Sequence, residues 1–516
     1  MFRLGEDRMT LPRLLDLLEG RDQAGLSDER RRLLERRRQV LLERMAAGEV
    51  IYGVNTGFGK LKDQRVPDDQ LRELQVRLVR SHAAGTGEPL PPPVARAMLL
   101  LRAHALALGY SAVRPGVIDR LLECFEAGLV PWVPAQGSVG ASGDLAPLAH
   151  MVLALMGEGQ CWVDGRPRPA REVLLAHDIP PLSLEIREGI ALINGTTAST
   201  ALLAVALHRA FENLTLADLA GAMTLDAAQG SVHPMDPPVY ETRPYPAFRV
   251  VAHQVRAWLG GSAILEHHRA CGKIQDNYSL RCMLQVHGTV LEALRFARWV
   301  LETEMNSATD NPLFLDDGTP IYNGNFHGAP VAMAADLLAT VLTTLSAISE
   351  RRIFHLMTPE MSGLPAFLTP EPGLNSGFML LHVTAAALVS ENKTLAHPAS
   401  VDTIPTSGNQ EDHVSMSLWA ARKASQVVEN TRRVLTIELM AAAQGIELRR
   451  PLRSGPRIEE VLASLRQVVP FRTQDAIASE DLDRAGAWVE TQLRQPPLRD
   501  AVEAVMALNL SSPFGP

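Results

Sequence analysis

The segment GSVGASGDLAPLAH, residues 137–150, contains the residue types and spacing with the clearest chemical potential in this chain. Glycines on both sides of Ala141 and Ser142 let the backbone fold sharply, and Gly143 has no side chain to keep its amide nitrogen from the carbonyl carbon of Ala141. Cyclisation there, followed by loss of water from the ring and from Ser142, would leave an electron-poor methylidene. The segment therefore predicts an electrophile made from the chain itself, although a glycine-rich turn ending at Asp144 as a helix N-cap explains the same letters.

Other common catalytic signatures are missing from the sequence. It contains no GxxxxGK[ST] or GxGxxG phosphate loop, no HExxH zinc helix and no GxSxG nucleophile turn. No CxxC pair occurs among Cys124, Cys161, Cys271 and Cys282, so neither a disulfide framework nor a metal site is expected. A net charge of −8 without long runs of one sign excludes a nucleic-acid reader by bulk electrostatics.

Blocks along almost the whole chain resemble, in the same order, those of the aromatic amino-acid ammonia-lyases. They are IYGVNTGFGKL, SHAAGTGEPL, the 137–150 segment, LINGTTA, QDNYSLRC, NSATDNPL, GNFHGAPVAMAAD, GLNSGFML, VSENKTLAHPASVD and PTSGNQEDHVSM. In this family the prosthetic group 4-methylideneimidazol-5-one (MIO) forms autocatalytically from Ala-Ser-Gly, which implies MIO formed here from Ala141, Ser142 and Gly143. The SHAAG, NFHG and NQEDHVSM blocks are most similar to the histidine ammonia-lyases within the family.

The resemblance also implies catalytic roles outside the Ala-Ser-Gly segment. Tyr52 would be the base that removes the β-hydrogen, on a glycine-rich segment that could close over the site as a lid. A free phenol is a weak acid, so such a base needs neighbours that stabilise its anion. Taken alone, Tyr52 could instead be a packed aromatic residue of a strand. Asp144 would assist MIO formation, or would only cap a helix.

The substrate's amino-acid part has four candidate partners by the same resemblance. Arg281 would hold the carboxylate in a two-pronged pair, because a planar guanidinium matches its geometry. Asn194 and Gln275 would supply amide contacts, and Tyr278, three residues before Arg281, would lie close to the same site. Two structural alternatives stay open: Arg281 could pair with an internal carboxylate, and Asn194 could cap the helix that follows.

Specificity is predicted to rest on His82, Phe326 and Glu411. An imidazole substrate has ring nitrogens that need polar partners when buried, and Glu411 beside His82 would supply them, with Phe326 as an apolar wall. A lone histidine is often a satisfied structural residue, and Glu411 could instead belong to an acid–base network near MIO.

The expected activity is elimination of ammonia from L-histidine to give trans-urocanate. Three departures from the histidine-lyase pattern, Arg80, Asn277 and Leu284, affect the substrate assignment more than the reaction. Two alternatives remain: a lyase or 2,3-aminomutase acting on another aromatic or histidine-like amino acid, and a helical scaffold or metabolite-binding protein without activity.

The elements that must position these residues are mainly helical. Aromatic residues make up only 5% of the 516 residues, so the apolar content is mostly Leu, Ala, Val and Met, which favours helix. A helix is expected to begin after Ser27 and to close at Gly48, with its arginine run facing solvent. Short strands are expected around Val50–Val54, Cys161–Val163 and Leu313–Phe314.

The predicted architecture is a mainly α fold with a long central helical bundle and a smaller N-terminal α+β region that carries the MIO loop. The expected divisions are residues 1–200 with the MIO loop and the Tyr52 segment, 201–445 with the long helices, and 446–516 as a helical cap. The resemblance implies a homotetramer whose sites take residues from more than one subunit. No signal peptide or membrane span is expected, and the expected compartment is the cytoplasm.

Overall fold

Helices dominate the computed structural model, which describes residues 1–268 and 274–507. In chain order they are α1 (Leu11–Leu18), α2 (Asp28–Ala46), α3 (Leu71–His82), α4 (Pro92–Ala107), α5 (Pro115–Glu126), α6 (Leu145–Leu155), α7 (Ala170–Ala176), α8 (Glu188–Ile193), α9 (Thr197–Ala227), α10 (Pro237–Glu241), α11 (Pro246–Leu259), α12 (Ala263–His268), α13 (Tyr278–Arg281), α14 (Met283–Met305), α15 (Ala329–Met357), α16 (Pro359–Ser362), α17 (Met379–Leu395), α18 (Ser417–Glu447), α19 (Pro456–Leu465), α20 (Ala478–Gln492) and α21 (Leu498–Ala507). Cys124, Cys161 and Cys282 are free thiols, and Cys271 lies outside the described residues.

The strands are short and pair two by two. They are β1 (Phe2–Arg3), β2 (Ala24–Gly25), β3 (Thr86–Pro89), β4 (Pro134–Gln136), β5 (Gln160–Val163), β6 (Arg166–Pro169), β7 (Leu313–Phe314) and β8 (Pro320–Ile321). The β1–β2 pair is parallel, whereas β3–β4, β5–β6 and β7–β8 are antiparallel. The predictions of strands near 161–163 and 313–314 and of a mainly α fold are confirmed.

The described residues form two compact units. The first unit comprises residues 1–206, 298–336 and 398–422, and the second comprises 207–297, 337–397 and 423–516, of which the structure describes the part up to 507 apart from 269–273. All the strands belong to the first unit, and the described part of the second is helices and their connections. The division into three regions at residues 200 and 445 stays a prediction.

Helix α2 confirms the expected boundaries but corrects the environment of its arginines. The Ser27 hydroxyl accepts a hydrogen bond from the amide of Arg30, as an N-cap does. Arg37 and Arg38, however, are only 9% and 7% exposed. The Arg38 guanidinium donates to the carbonyl of Ile186 at 2.7 Å. The prediction of a solvated arginine face is therefore wrong for these two residues, because each guanidinium reaches acceptors on neighbouring segments.

The segment around Tyr52 is a series of turns, so the prediction of a strand over 50–54 is wrong. The Asn55 side chain accepts a hydrogen bond from the Ile51 amide at 2.8 Å and donates to the Glu49 carbonyl at 2.8 Å. Gly53 has a φ of +73°. These local side-chain bonds satisfy the backbone without a strand partner, so the β-branched residues here do not make a ladder.

Among the described residues, α15 alone is long and apolar enough to cross a membrane by length and composition. Of its most apolar stretch, 61% is buried inside the structure. A core helix passes the same test, so length and composition do not by themselves make α15 a membrane span.

Candidate active site

A cavity of about 970 Å³ in the first unit brings together most of the residues predicted to do chemistry. Its lining includes the following predicted site residues: Tyr52, His82, Ala141, Ser142, Asn194, Phe326 and Glu411. They come from six separate stretches of the chain, which the turns and helices of this unit bring to one place.

The Ala141–Gly143 segment is held against the backbone that follows α8. Gly143 has a φ of +71°, and a Cβ there would lie 2.2 Å from the carbonyl carbon of Gly195. Only glycine tolerates both conditions. The Ser142 carbonyl accepts hydrogen bonds from the Asn194 side chain at 3.0 Å and from the Gly195 amide at 3.4 Å. The segment is thus fixed tightly, with two donors on the Ser142 carbonyl.

Asn194 serves this segment and does not cap α9, which answers one alternative left open above. It lies at the C-terminal end of α8, and its side-chain nitrogen is the donor to Ser142. Its Oδ1 atom is buried without a hydrogen-bond partner. A buried acceptor without a donor is costly, so this oxygen is available to a group bound in the cavity.

Asp144 stands at the N-cap position of α6, yet its carboxylate caps another helix. Oδ2 accepts from the amide and the hydroxyl of Ser199 at 2.7 and 2.8 Å, in the first turn of α9. Oδ1 accepts from the Ser138 hydroxyl at 3.3 Å, and the side chain makes no capping bond to α6 itself. Complete burial raises the pKa of Asp144 to about 6.

Tyr52 lies in the turns before α3 and lines the cavity. Its hydroxyl accepts a hydrogen bond from the Gly59 amide at 3.2 Å, and the rings of Phe58 and Tyr322 meet it edge-on with centroids 6.4 Å away. The hydroxyl therefore already has one donor of the kind that would stabilise a phenolate.

His82, the last residue of α3, has a defined tautomer. Its Nδ1 lies 2.9 Å from the Leu78 carbonyl, which can only accept, so the proton is on Nδ1 and Nε2 is an acceptor. Burial lowers the pKa of His82, more than the hydrogen bond to Leu78 and the charge of Glu411 raise it. The ring is thus a neutral acceptor on the cavity wall.

Glu411 contacts the Ala-Ser-Gly segment directly. Its Oε1 accepts from the Ser142 hydroxyl at 3.0 Å, and its Oε2 accepts from the Thr406 hydroxyl at 2.5 Å. This contact agrees with the alternative in which Glu411 belongs to an acid–base network at the Ala-Ser-Gly segment. The same carboxylate lines the cavity with His82, so the geometry also suits a role in specificity.

Comparison with known proteins agrees with this geometry. The sequence profile of the family described as aromatic amino acid lyase matches residues 9–467. The chain belongs to the aromatic amino acid lyase family. The family resemblance found in the sequence is therefore confirmed.

Several relatives of this lyase cover nearly all of its length. A protein of Anaeromyxobacter sp. (strain K) named histidine ammonia-lyase is 49% identical over 497 residues, which cover 94% of this chain and 98% of that protein. The crystal structure of histidine ammonia-lyase from Trypanosoma cruzi is similar with a TM-score of 0.88 and 41% identity, covering 98% of this chain and 95% of that one. The structure of tyrosine aminomutase from Streptomyces globisporus is similar with a TM-score of 0.90 and 34% identity, covering 98% of both chains.

Three predicted site residues of this lyase, Gln275, Tyr278 and Arg281, belong to the second unit. The Arg281 guanidinium lies 4.6 Å from the centre of the Tyr278 ring, so these two residues do lie close together. The buried Nε of Arg281 has no hydrogen-bond partner among the described residues. Their contribution to the site stays a prediction.

Sequence reasoning missed several residues that line the cavity of the lyase. The rings of His327 and His413 stack with centroids 5.7 Å apart and planes 4° from parallel, and His327 Nε2 donates to the His413 carbonyl at 3.2 Å. Tyr322 lines the same cavity. Each stands within four residues of a predicted one, Phe326 or Glu411, so neighbourhood in sequence was the available signal. Among the described residues no group of three or more side chains could hold a metal ion.

Proposed function

We propose that this lyase eliminates ammonia from L-histidine to give trans-urocanate, and that it uses an MIO group formed from Ala141, Ser142 and Gly143. The observation that carries the proposal is the Ser142 hydroxyl bonded to Glu411 in the cavity where His82 presents a neutral acceptor. The relatives named histidine ammonia-lyase support the choice of substrate.

The residues around the Ala-Ser-Gly segment fit such a group. Gly143 has the conformation and the close backbone contact that only glycine allows, the Ser142 carbonyl already has two donors, and the Oδ1 of Asn194 is buried without a partner. MIO supplies an electrophile that makes the substrate amine a better leaving group. Asn194 and the Gly195 amide would hold its carbonyl, and the buried Asp144 would hold the adjoining backbone against α9.

The chain's own residues supply the proton transfer and the substrate contacts. Tyr52 would take the β-proton, and the donor from Gly59 to its hydroxyl stabilises the anion that the base must form. In our proposal Arg281 pairs with the substrate carboxylate, with Gln275 and Tyr278 beside it. Asp144 and Ser199 position the segment and do not touch substrate.

Recognition of an imidazole substrate rests on two hydrogen-bond acceptors that line the cavity. His82 Nε2 and the Glu411 carboxylate are both acceptors, and the imidazole ring of the substrate carries an N–H donor to meet one of them. A phenyl ring would cover these half-buried acceptors without giving them a donor, which costs binding free energy. Phe326 adds an apolar surface for the ring.

A second candidate is a 2,3-aminomutase, favoured by the fold similarity to tyrosine aminomutase at a TM-score of 0.90. It would use the same electrophile and base, but return the amine to the β-carbon. A phenolic substrate could meet His82 through its hydroxyl, so the two candidates differ in product and in substrate.

The test is incubation of the purified protein with L-histidine while urocanate absorbance is followed, alongside a panel of aromatic amino acids with mass detection of β-amino products. We expect urocanate, and an intact mass lower than the sequence mass by two waters, located in the peptide of Ala141–Gly143. Ser142→Ala should abolish both. An intact mass deficit without urocanate would reject histidine as substrate, and a full mass would reject the MIO group.

We further propose that the lyase is a cytoplasmic homotetramer with sites shared between subunits. Large apolar side chains on α15 and α17, among them Phe354, Leu380 and Val383, are exposed, and such patches mark surfaces that a partner covers. Light scattering after size exclusion should give four chains per particle, and an active monomer would refute this assembly.

A further inference from the structure

His150 closes the 137–150 segment and is not used in the mechanism above. It lies on α6, half-buried, and its Nε2 accepts a hydrogen bond from the Gly85 amide at 3.0 Å. Because Nε2 accepts, the proton of the ring is on Nδ1 and the imidazole is neutral. Burial lowers the pKa of His150, which favours this form.

The amide that His150 holds belongs to the turn directly after His82. The Ala84 amide donates to the His82 carbonyl at 2.8 Å, so the chain turns tightly at Ala83, and Gly85 follows this turn directly. A displacement of Gly85 therefore reaches His82 with little chain between them to absorb it.

Gly85 lies close to the His150 ring and to the backbone of Gln136, so a side chain there would be crowded. A Cβ on Gly85 would lie 3.2 Å from two atoms of the His150 ring and 3.2 Å from the Gln136 carbonyl, and Gln136 pairs with Thr86 in the β3–β4 ladder. The chain after Gln136 leads directly to Ala141–Gly143, and α6 begins two residues after Gly143. The turn is thus fixed between the strand that enters the Ala-Ser-Gly segment and the helix that leaves it.

We propose that His150 is a positioning residue for substrate recognition: its Nε2 holds the Gly85 amide and so sets the place of His82 relative to the Ala141–Gly143 segment. The inference rests on the proposed function in one respect, that His82 receives the substrate ring. His150 itself touches neither substrate nor the reacting atoms.

Two variants of His150 distinguish the effect of its hydrogen-bond acceptor from the effect of its side-chain volume. Gln in place of His150 can present its amide oxygen close to the position of Nε2, whereas Leu has a similar size and no acceptor. His177→Leu is the matched control, since His177 is an exposed histidine of the same unit. Each protein is measured for intact mass, for hydrogen–deuterium exchange of a peptide that contains the Gly85 amide, and for KM and kcat with L-histidine.

We expect His150→Leu to keep the mass deficit of two waters, to speed exchange at Gly85 and to raise KM about threefold to tenfold with a smaller change in kcat, which is the scale of one lost hydrogen bond. His150→Gln should stay close to the wild type and the control in each measurement. Should His150→Leu not fold, His150→Asn takes its place, because the shorter Asn side chain withdraws the acceptor from Gly85.

Wild-type exchange and KM in His150→Leu, or equal impairment in the Leu and Gln variants, would overturn the proposal in favour of packing. A wild type that does not convert L-histidine would refute the proposed function instead, and the exchange at Gly85 would still decide whether His150 holds this turn.

Discussion

The Asp144 carboxylate is completely buried, and its pKa of about 6 lies well above the ordinary value of 3.8. Between these two values the folded state binds more protons than the unfolded state, so the free energy of unfolding falls as pH rises through this range. Fixed donors from Ser199 and Ser138 limit this cost. Burial of Asp144 therefore lowers the stability of the protein at neutral pH, and it places a carboxylate next to the Ala-Ser-Gly segment.

Asp144→Asn should remove this titration while keeping an acceptor for the Ser199 amide. From pH 5 to pH 6 the stability of the wild type should fall relative to the variant by about 1 kcal/mol, since over this interval the folded wild type holds between about half a proton and one proton more than its unfolded state. The measurement is the thermal unfolding midpoint of both proteins at several pH values. A difference in midpoint that is independent of pH would contradict the raised pKa.

How far the sequence predicts single residues depends on the distance to their partners. The residues around Asp144 predicted that it stands at a helix N-cap, and it does precede α6. Its carboxylate, however, bonds to Ser199 in the first turn of α9, 55 residues away. The Ser142–Glu411 hydrogen bond joins residues 269 positions apart. Only the fold brings such pairs together, and spacing along the chain carries no signal for them.

Among the elements, the Tyr52 segment and the segment before Glu411 are linked by two lysines. Lys60 Nζ donates to the Gly408 carbonyl at 3.2 Å, and Lys62 Nζ donates to the Gln410 side chain at 3.2 Å. Both residues are exposed, so each bond contributes modestly. Together they hold the turns that carry the proposed base next to the loop that carries Glu411.

Replacing Lys60 and Lys62 together by Ala should loosen the Tyr52 segment. Chymotrypsin, which cuts after neither Lys nor Ala, should cleave near Phe58 at least about threefold faster, and activity should fall while the mass deficit remains. Arg65→Ala is the control, because Arg65 is exposed on the same segment and, among the described residues, its side chain makes no bond to residues 406–411. Equal cleavage in the double variant and the control would argue against the link.

Prediction of the elements succeeded where local signals agree and failed where side chains replaced backbone partners. Helix α2 has a capping serine, acidic residues in its first turn and a closing glycine, and its boundaries follow from those letters. The strand expected at 50–54 rested on β-branched residues alone, and Asn55 bonds the backbone there instead. The buried Arg38 could not be foreseen, since its acceptor at Ile186 is 148 residues away.

At the scale of the whole molecule, each unit has its own buried polar network. In the second unit Arg352 and Glu438 form an ion pair whose side chains are both 0% exposed, and Glu438 also accepts from the hydroxyls of Ser349 and Thr224. Arg352 faces the Nε2 of His287, which must accept, so the proton of His287 points to Asp218 at 2.7 Å. In the first unit the contacts described above for Ala141–Asp144 come from that unit alone.

Glu438→Gln should therefore lower the stability of the protein without preventing the proposed formation of MIO from Ala141, Ser142 and Gly143. It leaves the buried Arg352 without its counter-charge, a loss of about 3–5 kcal/mol that should lower the thermal midpoint by about 5–10 °C. The mass deficit of two waters should persist, because the hydrogen bonds that hold Ala141–Gly143 lie in the first unit. Glu480→Gln, at an exposed glutamate of α20, should shift the midpoint by less than about 2 °C. An unchanged midpoint in Glu438→Gln would show that the buried pair does not stabilise the second unit, and a lost mass deficit in folded protein would show that the two units do not form their structures independently.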